Sequence, residues 1–173
     1  MVRTYTIPLS GLKVGRHTID FEIGNEFFEL FEESEVKEGS LIASIEMDKR
    51  STHADLEISI SGTVLISCDR CLGIFFFPVK CNNRLLVKFG KRIDNTDPDI
   101  ISVPFEEHEL DMKQHLYEFI HLAIPIKRVH PLDGNGKSTC DPVMLKKLDE
   151  LIIDEEPEND PRWDELKKLM NDN

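Results

Sequence analysis

The chain has 173 residues, with 33 Asp and Glu against 21 Lys and Arg, for a formal net charge of −12. Apolar residues at 40% and charged residues at 31% exclude a disordered or fibrous polypeptide, and this length buries a core without disulfide staples. No run approaches the roughly 18 apolar residues of a membrane span, the first fifteen residues hold no signal-peptide apolar region, and four Cys are too few for a secreted disulfide scaffold, so a soluble cytoplasmic protein is expected.

In chain order, short strands are predicted over 4–9 and 17–23, the second because Ile19, Phe21 and Ile23 alternate with polar residues. An acidic helix is predicted over 25–35, where Phe27, Phe28, Leu30 and Phe31 suit one helical face. A turn at Gly39 and a strand near 41–47 follow. The strongest pattern runs from Leu56 to Cys68. Leu56, Ile58, Ile60, Val64, Ile66 and Cys68 share one parity, and Asp55, Glu57, Ser59, Ser61, Thr63 and Ser67 fall on the other, the period-2 signature of a strand with one buried face. Gly62 interrupts the run and predicts a bulge or bend.

After Cys71 the alternation resumes. Phe75, Phe77, Val79, Cys81, Leu85, Val87 and Phe89 take one parity, with Lys80, Arg84 and Lys88 on the other. The two runs predict a hairpin over 56–89 with its apolar face inward and its cations outward. Pro78 cannot donate to a ladder and places the second strand at an edge or a bulge. Residues 91–105 read as a loop. A helix is predicted from near Leu110, with Asp111 and Gln114 as a capping box and Leu116, Phe119, Ile120 and Ala123 as its stripe. Asp141-Pro142 opens a second helix. Residues 154–173 form an acidic linker and a short docking helix carrying Trp163, Leu166 and Leu169. The fold class is α+β: an antiparallel sheet or partly open barrel built on the 56–89 hairpin, with C-terminal helices, in a single domain over 1–153.

Charge is unevenly spread. Residues 15–48 hold ten acids and two bases, and 141–173 hold eleven and five, whereas 62–92 hold six cations and one acid. Acidic ends repel polyanions at long range. The basic hairpin can still meet phosphates, through Arg70, Lys80, Arg84, Lys88, Lys91 and Arg92, with Phe76 available for base stacking. The same cations are also what a solvated face or a protected edge strand carries.

Cys68-Asp-Arg-Cys71 is the one compact reactive motif. It reads either as a hairpin turn with two reduced thiols or as half a tetrahedral site, completed by His130 and Cys140. No metal is assigned from spacing alone, and zinc stays as the alternative. Cys81 shares the inward parity and reads as core. No nucleotide loop, nucleophile elbow or zinc-protease motif is present, so no catalytic residue is assigned and an enzyme is not expected.

Three motifs occur in order: Gly62-Thr-Val-Leu-Ile-Ser-Cys68-Asp-Arg-Cys71-Leu, then Glu109-Leu-Asp111 leading to Leu122-Ala-Ile-Pro125, then Asp160-Pro-Arg-Trp163 with Leu166 and Leu169. Together, over about 52–169, they resemble the YceD family, named for large ribosomal RNA subunit accumulation. The resemblance implies a bacterial cytoplasmic factor of ribosome biogenesis without established catalytic residues. Its Cys pair falls on Cys68 and Cys71. Where many relatives add Cys after the Leu-Ala-x-Pro helix end, this chain has His130 and Cys140. The expected partner is the large-subunit rRNA precursor, met through the basic hairpin, or a basic ribosomal protein held by the acidic segments. No membrane or DNA partner is expected.

Overall fold

The computed structural model describes residues 5–90 and 97–152. The linker and docking helix expected over 154–173, together with Lys91 and Arg92, lie outside the described residues. Seven strands and three short helices follow one another: β1 (Thr6–Pro8), β2 (Gly15–Ile23), α1 (Asn25–Phe28), β3 (Gly39–Lys49), β4 (His53–Ser67), β5 (Ile74–Phe89), β6 (Ile100–Val103), β7 (Glu109–Asp111), α2 (Lys113–Leu122) and α3 (Pro142–Leu151).

The expected hairpin is the spine. β4 and β5 pair antiparallel from His53↔Lys88 to Ser67↔Ile74. Leu56, Ile58, Ile60, Val64 and Ile66 are buried from β4, as are Val79, Leu85 and Val87 from β5. Lys80 and Arg84 are exposed and Lys88 is half-buried, so the cations stand on the solvent side. The sheet runs in the order β2-β3-β4-β5-β6. β1 and β7 form a separate antiparallel pair. Packed against the inner face are Phe27, Phe28, Ile7, Met112, Leu116 and Ile120.

Three expectations are corrected. The sheet is mixed, because β6 runs parallel to the end of β5, with Leu86↔Ile100 through Phe89↔Val103. Four residues between prolines leave too little alternation to reveal such a strand. Of the two forms expected, the open sheet is the one present, with β2 and β6 at its edges. The 25–35 helix shrinks to Asn25–Phe28, since Gly24 offers no side-chain cap and the Asn25 side chain instead accepts from the Gly39 N–H at 3.0 Å. The helix expected from Leu110 starts at Lys113. Asp111 accepts from the Lys113 N–H at 2.9 Å, but Gln114 turns forward to Glu118 rather than back to close a capping box.

Gly62 is no bulge. The register passes through it without an extra residue, Leu41↔Gly62↔Val79. Pro78 lies opposite Thr63, on a stretch of β5 that β6 does not reach; the edge reading holds locally.

Candidate metal centre

Cys68 follows the last residue of β4, and β5 begins three residues after Cys71. The turn between them is closed by two backbone bonds, Cys68 N–H to Gly73 O and Leu72 N–H to Cys68 O, both 2.9 Å. Leu72 adopts φ 59° to complete it, a left-handed conformation that glycine takes more readily than leucine. Burial pushes the Cys68 thiol up, but the N–H groups of Cys71, Arg70 and His130 and the His130 ring hold it down at about 6. The turn therefore favours a thiolate at this position.

The other half of the cluster comes from the chain after α2. Arg128 and Asp69 bind reciprocally: the Asp69 N–H donates to Arg128 O at 2.7 Å, and the Arg128 N–H donates to the Asp69 carboxylate at 2.6 Å. This ladder delivers His130, whose ring lies 4.5 Å from that of Phe75. The next ten residues form a closed loop, with Leu132 bridged to Ser138 and Thr139 Oγ1 donating to Pro131 O at 2.7 Å. Asp133 accepts from the Asn135 and Lys137 N–H groups inside it. The loop returns Cys140 beside His130, and Asp141 then caps α3 by accepting from the Val143 N–H at 2.9 Å.

Cys68 Sγ lies 3.7 Å from Cys140 Sγ. Cys71 Sγ lies 3.4 Å and Cys140 Sγ 3.8 Å from His130 Nδ1. All four donor atoms fall within 4.8 Å of one another. Ligands about 2.1–2.3 Å from a tetrahedral zinc stand roughly 3.5–3.8 Å apart; the 3.4, 3.7 and 3.8 Å separations already match this, and the widest pairs, within 4.8 Å, would draw in by up to about 1 Å on binding. The three sulfurs are buried, and Phe75, Val129, Met144 and Leu145 pack around them. The Ser138 hydroxyl lowers the Cys140 thiol, but burial and the nearby Cys68 and Cys71 sulfurs outweigh it and raise it. Converging sulfurs resist losing their protons together, and a divalent cation relieves that repulsion. Cys81 takes no part: its thiol points to Phe119 O at 3.8 Å, as its core parity implies.

One supporting element carried no sequence signal. Arg128 makes a two-pronged pair with Glu35, with Nη1 and Nη2 at 2.7 and 2.8 Å from the two carboxylate oxygens. It clamps the segment bearing His130 to the stretch after α1. The hydrogen bond from Arg128 holds the Glu35 carboxyl below its ordinary 4.5. Its contribution is therefore present above that value and lost as pH falls through the lowered one. Glu35→Gln should lower stability by at most about 1 kcal/mol at pH 7, the carboxylate being largely exposed. Thermal melts at pH 7 and about pH 3 should show the difference from wild type shrink on acidification.

The structure splits the cations assigned to phosphate contact. Arg70 is exposed on the Cys turn, and Lys80 and Phe76 are exposed on the outer face of β5. Arg84 instead pairs with Glu57 at 2.8 Å. It lines a depression that also holds Glu46, Asp48, Asp55, Asp97 and Asp99. Lys88 lies opposite His53. Ile74 and Leu72, both about 70% exposed, join Phe76 on the solvent side; the sequence signal for Ile74 was its parity with Lys80.

Among protein families, the large ribosomal RNA subunit accumulation protein YceD matches residues 56–170. That is well over half of the chain, which belongs to this family. Neither curated proteins nor solved structures gave a match.

Proposed function

We propose that this YceD-family chain promotes accumulation of large-subunit rRNA by binding a basic ribosomal protein, with zinc held by Cys68, Cys71, His130 and Cys140 as its structural staple. The observation that carries the staple is the convergence of four donor atoms within 4.8 Å from segments some sixty to seventy residues apart in sequence. Three sulfurs and one imidazole are a donor set that suits zinc. With four protein ligands, the ion would cross-link the β4–β5 turn to the 128–141 segment rather than present an open coordination position.

The choice of a protein over RNA rests on charge. Arg84 is engaged by Glu57, six carboxylates against three arginines line the adjacent depression, and the whole chain carries −12. Such a surface accelerates encounter with a cationic partner and slows encounter with a polyanion. The RNA reading keeps Arg70, Lys80 and Phe76 as its support.

Removing the chain from cells should lower the ratio of large- to small-subunit rRNA, and re-expression should restore it. The Arg84→Glu/Lys88→Glu variant should restore it as well as wild type does, and the bound partner should survive nuclease treatment of the purified complex. An unchanged ratio on removal would defeat the ribosomal reading. A partner lost with nuclease, or a salt-sensitive RNA interaction abolished by that variant, would return the function to RNA.

A further inference from the structure

The outer face of the sheet has two unlike ends. At the Cys-turn end, Leu72, Ile74 and Phe76 are 71, 69 and 67% exposed. Phe76 lies opposite Leu65, and Ile74 opposite Ser67, so Leu65 extends the apolar strip on β4. Ile42 adds a further exposed side chain, 57% accessible, on β3. Leu72 takes its left-handed backbone to close the Cys turn, and that conformation carries its side chain out to solvent. Clusters of large apolar side chains on solvent mark interaction sites.

At the opposite end, like charges face each other across the strands. Glu46 lies opposite Glu57, and Asp48 opposite Asp55, an arrangement that costs free energy in a sheet. Asp97 and Asp99 join them around the same depression, against Arg16, Arg50 and Arg84. The acidic end thus favours cations and the turn end favours apolar side chains. Eight residues of β5 separate Phe76 from Arg84, about 27 Å of strand. Eight extended residues or about eighteen helical ones cover that span.

We infer that this face docks a basic polypeptide segment that lays apolar side chains over Leu65, Leu72, Ile74 and Phe76 and lysines or arginines over Glu46 and Asp55, the facing carboxylates not held by Arg84 or Arg50. The inference deepens the ribosomal-protein reading and rests on it for the partner's origin, while the binding surface is tested separately. The probe is a labelled eighteen-residue peptide, leucine-rich in its first third and lysine-rich in the rest. It is titrated onto the full-length, zinc-loaded chain and followed by fluorescence anisotropy.

Wild type should bind it with an affinity that falls as salt rises. A twin peptide with Glu for Lys should not bind. Leu72→Asn/Phe76→Thr should weaken binding at least tenfold, and so should Glu46→Gln/Asp55→Asn. All four substitutions sit at solvent-facing positions, and unchanged zinc content and melting temperature would establish that the fold is intact. Failure of wild type to bind, or wild-type affinity in both double variants, overturns the inference. So does a twelve-nucleotide single-stranded RNA that displaces the peptide and loses its own binding in the Leu72/Phe76 variant. If the peptide binds as expected while rRNA ratios do not respond to the chain's removal, the ribosomal reading fails and the docking surface stands.

Discussion

Cys68→Ser should abolish stoichiometric zinc in the full-length chain and release the segment over 131–152 from the rest of the domain, with Arg128 still held by Asp69 and Glu35. Wild type purified without added metal should carry about one zinc per chain. Loss of one of four ligands leaves a site that competes poorly for the ion, and the released segment should open locally while the main melting transition of the sheet stays close to that of wild type. The reason is visible in the packing. No residue of α3 is buried, and only Met144 and Leu145 reach the apolar surround of the Cys cluster. A ten-residue helix with that little contact does not persist alone. The sheet has its own core, centred on Ile45, Ile58 and Ile60, and does not depend on the staple.

Hydrogen exchange on Cys68→Ser should therefore show protection lost across 131–152 while β3 and β4 keep theirs. Cys81→Ser serves as the control, since Cys81 lies outside the cluster with its thiol on Phe119 O. It should keep the zinc. Wild type without zinc would remove the metal reading and leave a turn with reduced thiols, and retention of one zinc per chain by Cys68→Ser, with α3 still protected, would move the ion away from this cluster.

Period-2 alternation made the hairpin legible because each buried residue of β4 and β5 obeys it, and parity survives the Gly62 crossing unbroken. All four residues of the metal cluster were named from the sequence, but only the Cys pair by its spacing. Cys68 and Cys71 lie in one turn, where sequence spacing is spatial spacing. His130 and Cys140 reach them only through the Asp69–Arg128 ladder and the bridged 131–139 loop, neither of which leaves a periodic trace. β6 stayed hidden because a short parallel strand depends on its neighbour rather than on its own pattern. The 25–35 helix failed because three phenylalanines on one face satisfy a tight turn as well as a helix. Ile74 and Phe76 on the parity of Lys80 were a legible warning: two large apolar residues where a solvated strand should show polar ones.

Gly62→Ala should be the most damaging single methyl addition to the sheet, at about 3 kcal/mol or more. Gly62 sits at φ +153°, a conformation that L side chains rarely adopt. A Cβ there would stand 2.2 Å from Ser40 O and 2.5 Å from the Leu41 Cα. Both obstacles are backbone, so no rotamer change relieves them. β4 cannot retreat either, because it is hydrogen-bonded to β3 on one side and β5 on the other, and a shift away from β3 drives it into its other partner. Gly39 supplies the contrast. Its nearest obstacle is the Phe28 Cε2 at 2.9 Å, a side chain that can tilt, so Gly39→Ala should cost about 1–2 kcal/mol. Gly15 isolates the conformational part: it shares a positive φ, +135°, with nothing within 4 Å, so Gly15→Ala should cost about 1 kcal/mol from the backbone alone. Denaturant unfolding of the three variants should rank Gly62→Ala well below the other two in stability. A Gly62→Ala protein no weaker than Gly15→Ala would mean that β3 and β4 do not approach so closely, and the register that places Leu41 opposite Gly62 would have to be abandoned.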